Sequence, residues 1–231
     1  MDKVTALVLF CCTPNLIEVS IGSFRKFYPE MKLIVIDNSG KKRKEGPPCT
    51  QLLQDYCSKD KNIELHVMSN NLGHGLGMHI GIQKVKTTYT YVFESDTRMD
   101  NGGLIEAMLK LASPEVYSVG PTVKVDYKTC SASDAKTSKR RIVRRLWPYA
   151  SLLSTETYFK FPPWDSDNGI NAAPLLKVTQ SIADTGRDEE LMIEFDVDKY
   201  VKHLYGGTRA VIGIPRLENH EQWTSRYLKS T

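Results

Sequence analysis

Apolar residues along the chain fall into short continuous runs that alternate with stretches where they recur every three or four positions. The first run, residues 4–12, is apolar almost throughout, the pattern of a strand buried on both faces, and Thr13 and Pro14 end it. Residues 15–27 carry Leu16, Val19, Ile21, Phe24 and Phe27 at roughly helical spacing, with a cap expected at Thr13 or Asn15. A second buried strand over 33–36 closes on Asp37, Asn38, Ser39 and Gly40, and a short helix is expected over 50–57. A third strand covers 63–68. Gly73, Gly75 and Gly77 then open a helix that continues through Met78, Ile82 and Val85. A fourth strand, 89–93, runs into Glu94, Ser95 and Asp96, and is followed by a helix over 104–111 and a short strand over 116–119. This alternation predicts an α/β fold: a mostly parallel central sheet with helices on both faces.

Beyond residue 120 the pattern is less regular. Residues 121–165 read as an excursion from the sheet, a lid or an acceptor-side segment. Regular elements are expected again over 171–178, over 188–203 as a strand end or helix near the site, and over 210–214 as a last strand. The polar stretch 218–231 reads as a short helix or a mobile end.

Composition narrows the classes without choosing among them. Apolar residues make up 41% and charged residues 25% of 231 residues, the balance of one ordinary globular domain. The net charge of +4 comes largely from two runs, Lys41, Lys42, Arg43, Lys44 and Lys139, Arg140, Arg141, Arg144, Arg145. Each is either a solvated loop or a contact for phosphate on a nucleotide, an anionic acceptor or a membrane surface. No nucleic-acid partner is expected. The five cysteines include no CxxC pair, which argues against a zinc site and a disulfide framework and favours a reducing, cytoplasmic compartment. The apolar stretch near the N-terminus is about 9 residues, too short to span a bilayer.

Four constellations carry chemistry. Glu94 and Asp96 sit one residue apart at the end of an apolar strand, where parallel sheets bind ligands and where paired carboxylates suit a hard divalent cation; the bland alternative is an acidic turn. Asp37 ends the second strand and can accept hydrogen bonds from a base or ribose, or close an Asx turn. Residues 70–81 place glycines where a strand feeds a helix, but the spacing is GxGxG, it follows the third strand, and no GxxxxGK[ST] loop exists. His74 and His79 nearby read as structural or as phosphate contacts. Glu194, Asp196 and Asp198 form a later acidic cluster, interleaved with Phe195 and Val197, with His203 as an additional candidate metal ligand.

In their order along the chain these segments resemble the GT-A glycosyltransferases of family 2, over roughly residues 4–203. The resemblance implies a GT-A fold and assigns roles. Thr13, Pro14 and Asn15 match the loop that packs around the nucleotide, and Asp37 the acid that contacts uracil or ribose. Asn71, Gly73 and Gly81 match the segment lining the nucleotide site, with His79 where Asn is usual. Glu94, Ser95 and Asp96 occupy the metal-binding Asp-x-Asp motif, with Glu replacing the first Asp. Gly186, Asp188 and Glu189 approximate the stretch before the late acidic motif, in which Asp196 takes the place of the catalytic base, Glu194 is its rival, and Lys202 stands where Arg neutralises phosphate.

The function implied is an inverting, Mn²⁺- or Mg²⁺-dependent transfer of sugar from a UDP- or dTDP-sugar to a hydroxyl of a saccharide or lipid-linked saccharide, with peripheral membrane contact through residues 140–153 as one option. Residues 1–120 would form the nucleotide-binding half and 121–231 the acceptor-side half. Trp147, Tyr149, Phe161 and Trp164 are candidates for an apolar sugar platform or for core packing. The rivals are a nucleotidyltransferase, which would need a Gly- and Lys/Arg-rich loop after the first strand where CCTPNLIEVS stands, and a binding module that has lost catalysis.

Overall fold

The computed structural model describes residues 2–40, 46–137, 139–164 and 175–204. The basic run at 41–44 and the elements expected over 210–214 and 218–231 lie outside those residues, as does the start of the element expected over 171–178.

Among the described residues, seven strands form the main sheet: β1 (Val4–Phe10), β2 (Leu33–Asp37), β3 (Ile63–Val67), β4 (Tyr89–Glu94), β6 (Ser118–Gly120), β9 (Ala150–Ser154) and β10 (Met192–Glu194). Their order is β10-β6-β9-β4-β1-β2-β3. β1 pairs in parallel with β2 and β4, β2 with β3, and β6 with β10; only β9 runs antiparallel, against both β4 and β6. Two small ribbons complete the strands: β7 (Thr122–Asp126) with β8 (Ile142–Leu146), and β5 (Thr97–Met99) with β11 (Val201–His203). The mostly parallel sheet is therefore as expected, but residues 121–165 are a correction. The excursion is confined to the β7–β8 hairpin, after which the chain returns as β9 into the middle of the sheet. Periodicity along one strand cannot reveal which neighbour it will pair with.

β1 shows why the continuous apolar run was needed. Val4, Ala6, Val8 and Phe10 pack on one face with Leu33, Val35 and Phe24; Leu7 and Leu9 pack on the other with Ile34, Ile36, Met78 and Ile82. The first face is covered by α1 (Ser23–Phe27), α2 (Gly46–Cys57) and α4 (Leu104–Leu109), the second by α3 (His74–Lys84) and α7 (Leu176–Asp184). The helix expected over 15–27 is broken into a 3-10 turn (Pro14–Leu16), a π-helical turn (Glu18–Gly22) and α1, and Thr13 sits at the N-cap position without a side-chain cap bond.

Glycine in α3 has a packing reason. A Cβ at Gly81 would lie 2.5 Å from Leu7 Cδ1, and one at Gly77 would collide with Leu9. The helix backbone therefore lies directly on β1, which fixes where its first turn meets the carboxyl edge of the sheet. Three arginines of the second basic run have partners within the chain, although Lys139, Arg140 and Arg141 are exposed. Arg141 pairs with Asp184 at 3.1 Å and donates to Ala183 O, Arg144 reaches Glu189 and Met192 O, and Arg145 donates to Cys130 O. These arginines hold the hairpin onto α7, α8 (Asp188–Leu191) and the turn at Cys130. All five cysteines are free, and no helix among the described residues is long and apolar enough to cross a membrane.

Candidate functional site

The site grows from the carboxyl ends of β1 and β4, which lie side by side with Leu9 opposite Glu94. β4 ends at Glu94, the chain turns at Ser95 and Asp96, and β5 begins at Thr97. β11 then pairs antiparallel with β5, setting His203 opposite Thr97, and Leu204 N–H donates to Asp96 O at 2.8 Å. This ribbon brings residue 203 to residues 94 and 96. His203 Nε2 lies 3.2 Å from Glu94 Oε2 and 3.4 Å from Asp96 Oδ1. The ligand atoms of all three residues lie within 4.8 Å of one another. Asp96 and His203 are almost fully buried and Glu94 about one quarter exposed.

The His203 ring stacks on Tyr149, with centroids 4.6 Å apart and planes at 11°, and meets the edge of Trp147. Burial pulls its pKa down, but hydrogen bonds and charge from Asp96 and Glu94 outweigh that and raise it to about 9. Two carboxylates and one imidazole converging on a single point fit a divalent cation: separations of 3.2 and 3.4 Å are those of neighbouring ligand atoms each about 2.1 Å from an ion.

A pocket of about 170 Å³ opens beside this cluster. Leu9 and Phe93 give it an apolar floor, Cys11, Asn38 and Asn71 form one wall, and His74, Glu94, Ser95 and Asp96 form the other end. Asn38 builds the wall. Its Oδ1 accepts from Leu72 N–H at 2.9 Å and its Nδ2 donates to Gly73 O at 2.9 Å, fastening the loop before α3 to the end of β2. Asn71 donates to Cys11 Sγ at 3.0 Å and accepts from Gly73 N–H at 2.8 Å. Gly73, at φ +81°, makes the sharp entry into α3.

Of the residues proposed from sequence, Asn71, Glu94, Ser95 and Asp96 line the pocket, and His203 joins the last two acids. The others lie elsewhere. Asp37 is fully buried; its oxygens accept from Ser39 N–H at 3.0 Å and from the Thr50 hydroxyl, bracing β2 against α2. Thr13 is buried, whereas Pro14 and Asn15 start the turn after β1. His79 bonds Tyr158 OH at 2.9 Å on the far side of α3. Lys202 is exposed and donates to Asp198 O. Glu194 is exposed at the end of β10, on the same sheet edge as Glu94 but separated from β4 by β6 and β9, roughly 14 Å of sheet; Asp196 is exposed two residues further on, in the segment that leads to β11. Among the aromatic candidates, Tyr149 and Trp147 pack on His203, whereas Trp164 is buried and donates to Tyr117 OH, with Phe161 beside it. Sequence reasoning did not single out Asn38 as a pocket residue and left His74 between a structural role and a phosphate contact. Their signal was positional: each occupies a transition between strand end and helix start at the ligand-binding edge.

Solved structures share this architecture at low identity. TarS residues 1–349 from S. aureus align over 98% of this chain and 70% of theirs, with 13% identity and a TM-score of 0.54. The mannosyltransferase PcManGT from Pyrobaculum calidifontis, solved with GDP-Man and Mn²⁺, aligns over 99% of this chain and 68% of its own, with 12% identity and a TM-score of 0.55. TarS 1–349 in complex with UDP-GlcNAc aligns with 12% identity over 98% of this chain and 71% of its own, at a TM-score of 0.54. A comparison with curated protein sequences returns no match. The model of glycosyl transferase family 2 matches residues 7–162, well over half the chain and including β4 with its acidic turn; this protein belongs to that family and has its GT-A fold.

Proposed function

We propose that this chain transfers a sugar from a UDP- or dTDP-sugar to a hydroxyl of a saccharide or lipid-linked saccharide, with inversion at the anomeric carbon and in dependence on Mn²⁺ or Mg²⁺. The observation that carries this reading is the convergence of Glu94, Asp96 and His203 at the mouth of a pocket on the carboxyl edge of the sheet. The solved relatives holding UDP-GlcNAc, or GDP-Man with Mn²⁺, support a nucleotide-sugar and a divalent cation as the ligands of such a site.

Asp96, Glu94 and His203 would hold the cation, which when bound neutralises the charge that builds on the diphosphate leaving group. The apolar floor at Leu9 and Phe93 and the amides of Asn38 and Asn71 would seat the nucleoside. Asp196 is the base in this reading. Its Oδ1 accepts from Asp198 N–H at 2.9 Å, and among the described residues no cation pairs with it, so a second oxygen remains for the acceptor hydroxyl. Glu194 instead lies 3.9 Å from Arg144, which is itself engaged with Glu189 and Met192 O. A direct displacement needs one base and a good leaving group, with no covalent intermediate.

Calorimetry with UDP- and dTDP-sugars, with and without Mn²⁺, tests the donor site. Asp96→Ala is expected to abolish Mn²⁺-dependent binding. Asp196→Asn is expected to keep donor binding and lose turnover by roughly 10²- to 10⁴-fold. Folded wild-type protein that binds no nucleotide-sugar under any metal condition would overturn the reading; Glu194→Gln as the inactive variant, with Asp196→Asn active, would move the base to Glu194.

A further inference from the structure

Position 94 carries a longer acid than the Asp-x-Asp pattern, with one more rotatable bond between backbone and carboxylate. A ligand with that extra freedom loses more order on binding an ion unless something fixes it. The structure supplies a candidate. The Glu94 carboxylate lies between two imidazoles: His203 Nε2 stands 3.2 Å from Oε2, and His74 Nε2 stands 3.6 Å from Oε1. The two histidines come from unrelated elements, β11 and the first turn of α3. His74 lies outside the group of ligand atoms that converge within 4.8 Å, and it meets the Glu94 oxygen other than the one beside His203. Its own placement is rigid at the backbone, because Gly73 is tied to Asn38 and Asn71 and the helix lies directly on Leu7 and Leu9.

We propose that His74 is a positioning residue for the cation site: its imidazole, 3.6 Å from Oε1, restrains that oxygen of Glu94 by electrostatic contact, leaving Oε2, beside His203, for the ion. The inference rests on the cation reading given above. A carboxylate restricted to one oxygen, beside a second carboxylate and an imidazole, suits small ions of regular geometry such as Mn²⁺. It disfavours Ca²⁺, which takes more oxygens and often both from one carboxylate. His74 thus sets affinity and ion choice without touching the ion. Glutamate at position 94 is one methylene longer than aspartate, and its two oxygens meet the two histidines.

The test is metal binding, read by calorimetry and by Mn²⁺ electron paramagnetic resonance, on wild type, His74→Ala, His74→Gln and Glu94→Asp, with metal-free melting curves to establish that each is folded. His74→Ala is expected to weaken Mn²⁺ binding about 10-fold or more and to narrow the preference for Mn²⁺ over Ca²⁺. His74→Gln, which keeps an N–H donor at similar reach, is expected to restore most of both. In the Glu94→Asp background, His74→Ala is expected to change little, because the contact is already lost. Folded His74→Ala that binds Mn²⁺ within twofold of wild type with unchanged ion preference overturns the role of His74 and leaves the cation site standing. Wild type that binds no Mn²⁺, like Asp96→Ala, overturns both.

Discussion

In the proposed function, a proton and a divalent cation compete for His203. Its folded pKa of about 9 lies above the ordinary value of 6.5, because Asp96 and Glu94 outweigh the cost of burial. A histidine raised in this way contributes stability that is complete below about pH 6.5 and is lost as pH rises through about 9. In chelator, the melting temperature should therefore fall across that window. Mn²⁺ must displace the same proton, so its binding should release protons near pH 7 and tighten as pH rises over the same range. Melting curves and Mn²⁺ titrations between pH 6 and 9.5 check both trends, and His203→Gln should flatten the first and weaken the second. A Mn²⁺ affinity independent of pH in wild type would mean that His203 is not a ligand. At this scale the sequence offered two acids and a histidine as candidates, and the ring stacked on Tyr149 explains why a histidine far along the chain is held in place.

At the scale of elements, α3 is where packing and chemistry meet. It carries His74 at the pocket and His79 on its other side against Tyr158, so two nearby histidines have different work because they leave the helix in different directions. Its seat depends on the missing side chains at Gly77 and Gly81. Gly81→Ala would drive a methyl into Leu7, whose side chain is fully buried and cannot retreat. That change should cost about 1–3 kcal/mol, read as a shift in the denaturation midpoint, despite alanine's higher helix propensity. A neutral or stabilising result would show that the helix can lift from the sheet. The second basic run teaches the same lesson about partners. Along the chain it looks like one positive patch, yet Arg141, Arg144 and Arg145 point into separate acceptors on α7, α8 and the Cys130 turn.

Across the whole molecule, β9 joins what the chain order separates. It enters between β4 and β6, so the acidic turn after β4 and the acidic end of β10 are parts of one continuous sheet. Leu152 lies within it, almost fully buried and packed in the cluster that contains Tyr91 and Phe93. Leu152→Ala should cost about 2–5 kcal/mol and lower a single cooperative transition rather than split it in two. Tryptophan fluorescence and far-ultraviolet circular dichroism should report coincident midpoints; separate midpoints would mean that the two halves of the sheet unfold independently.

What the sequence determined by itself was local and periodic. Runs buried on both faces marked β1, β2 and β4, the spacing of apolar residues marked α3 and α4, and Glu94 with Asp96 at a strand end marked the ligand-binding edge, because these patterns arise from backbone geometry repeated along neighbouring residues. Only the tertiary structure decided the rest. Where the buried Asp37 carboxylate finds its partners, whether β9 leaves the sheet or enters it, and which histidines reach Glu94 all depend on pairings between residues distant in the chain. Such pairings follow from how whole elements pack and from where each buried polar group finds its partner, and no single stretch of sequence contains both sides of that contact.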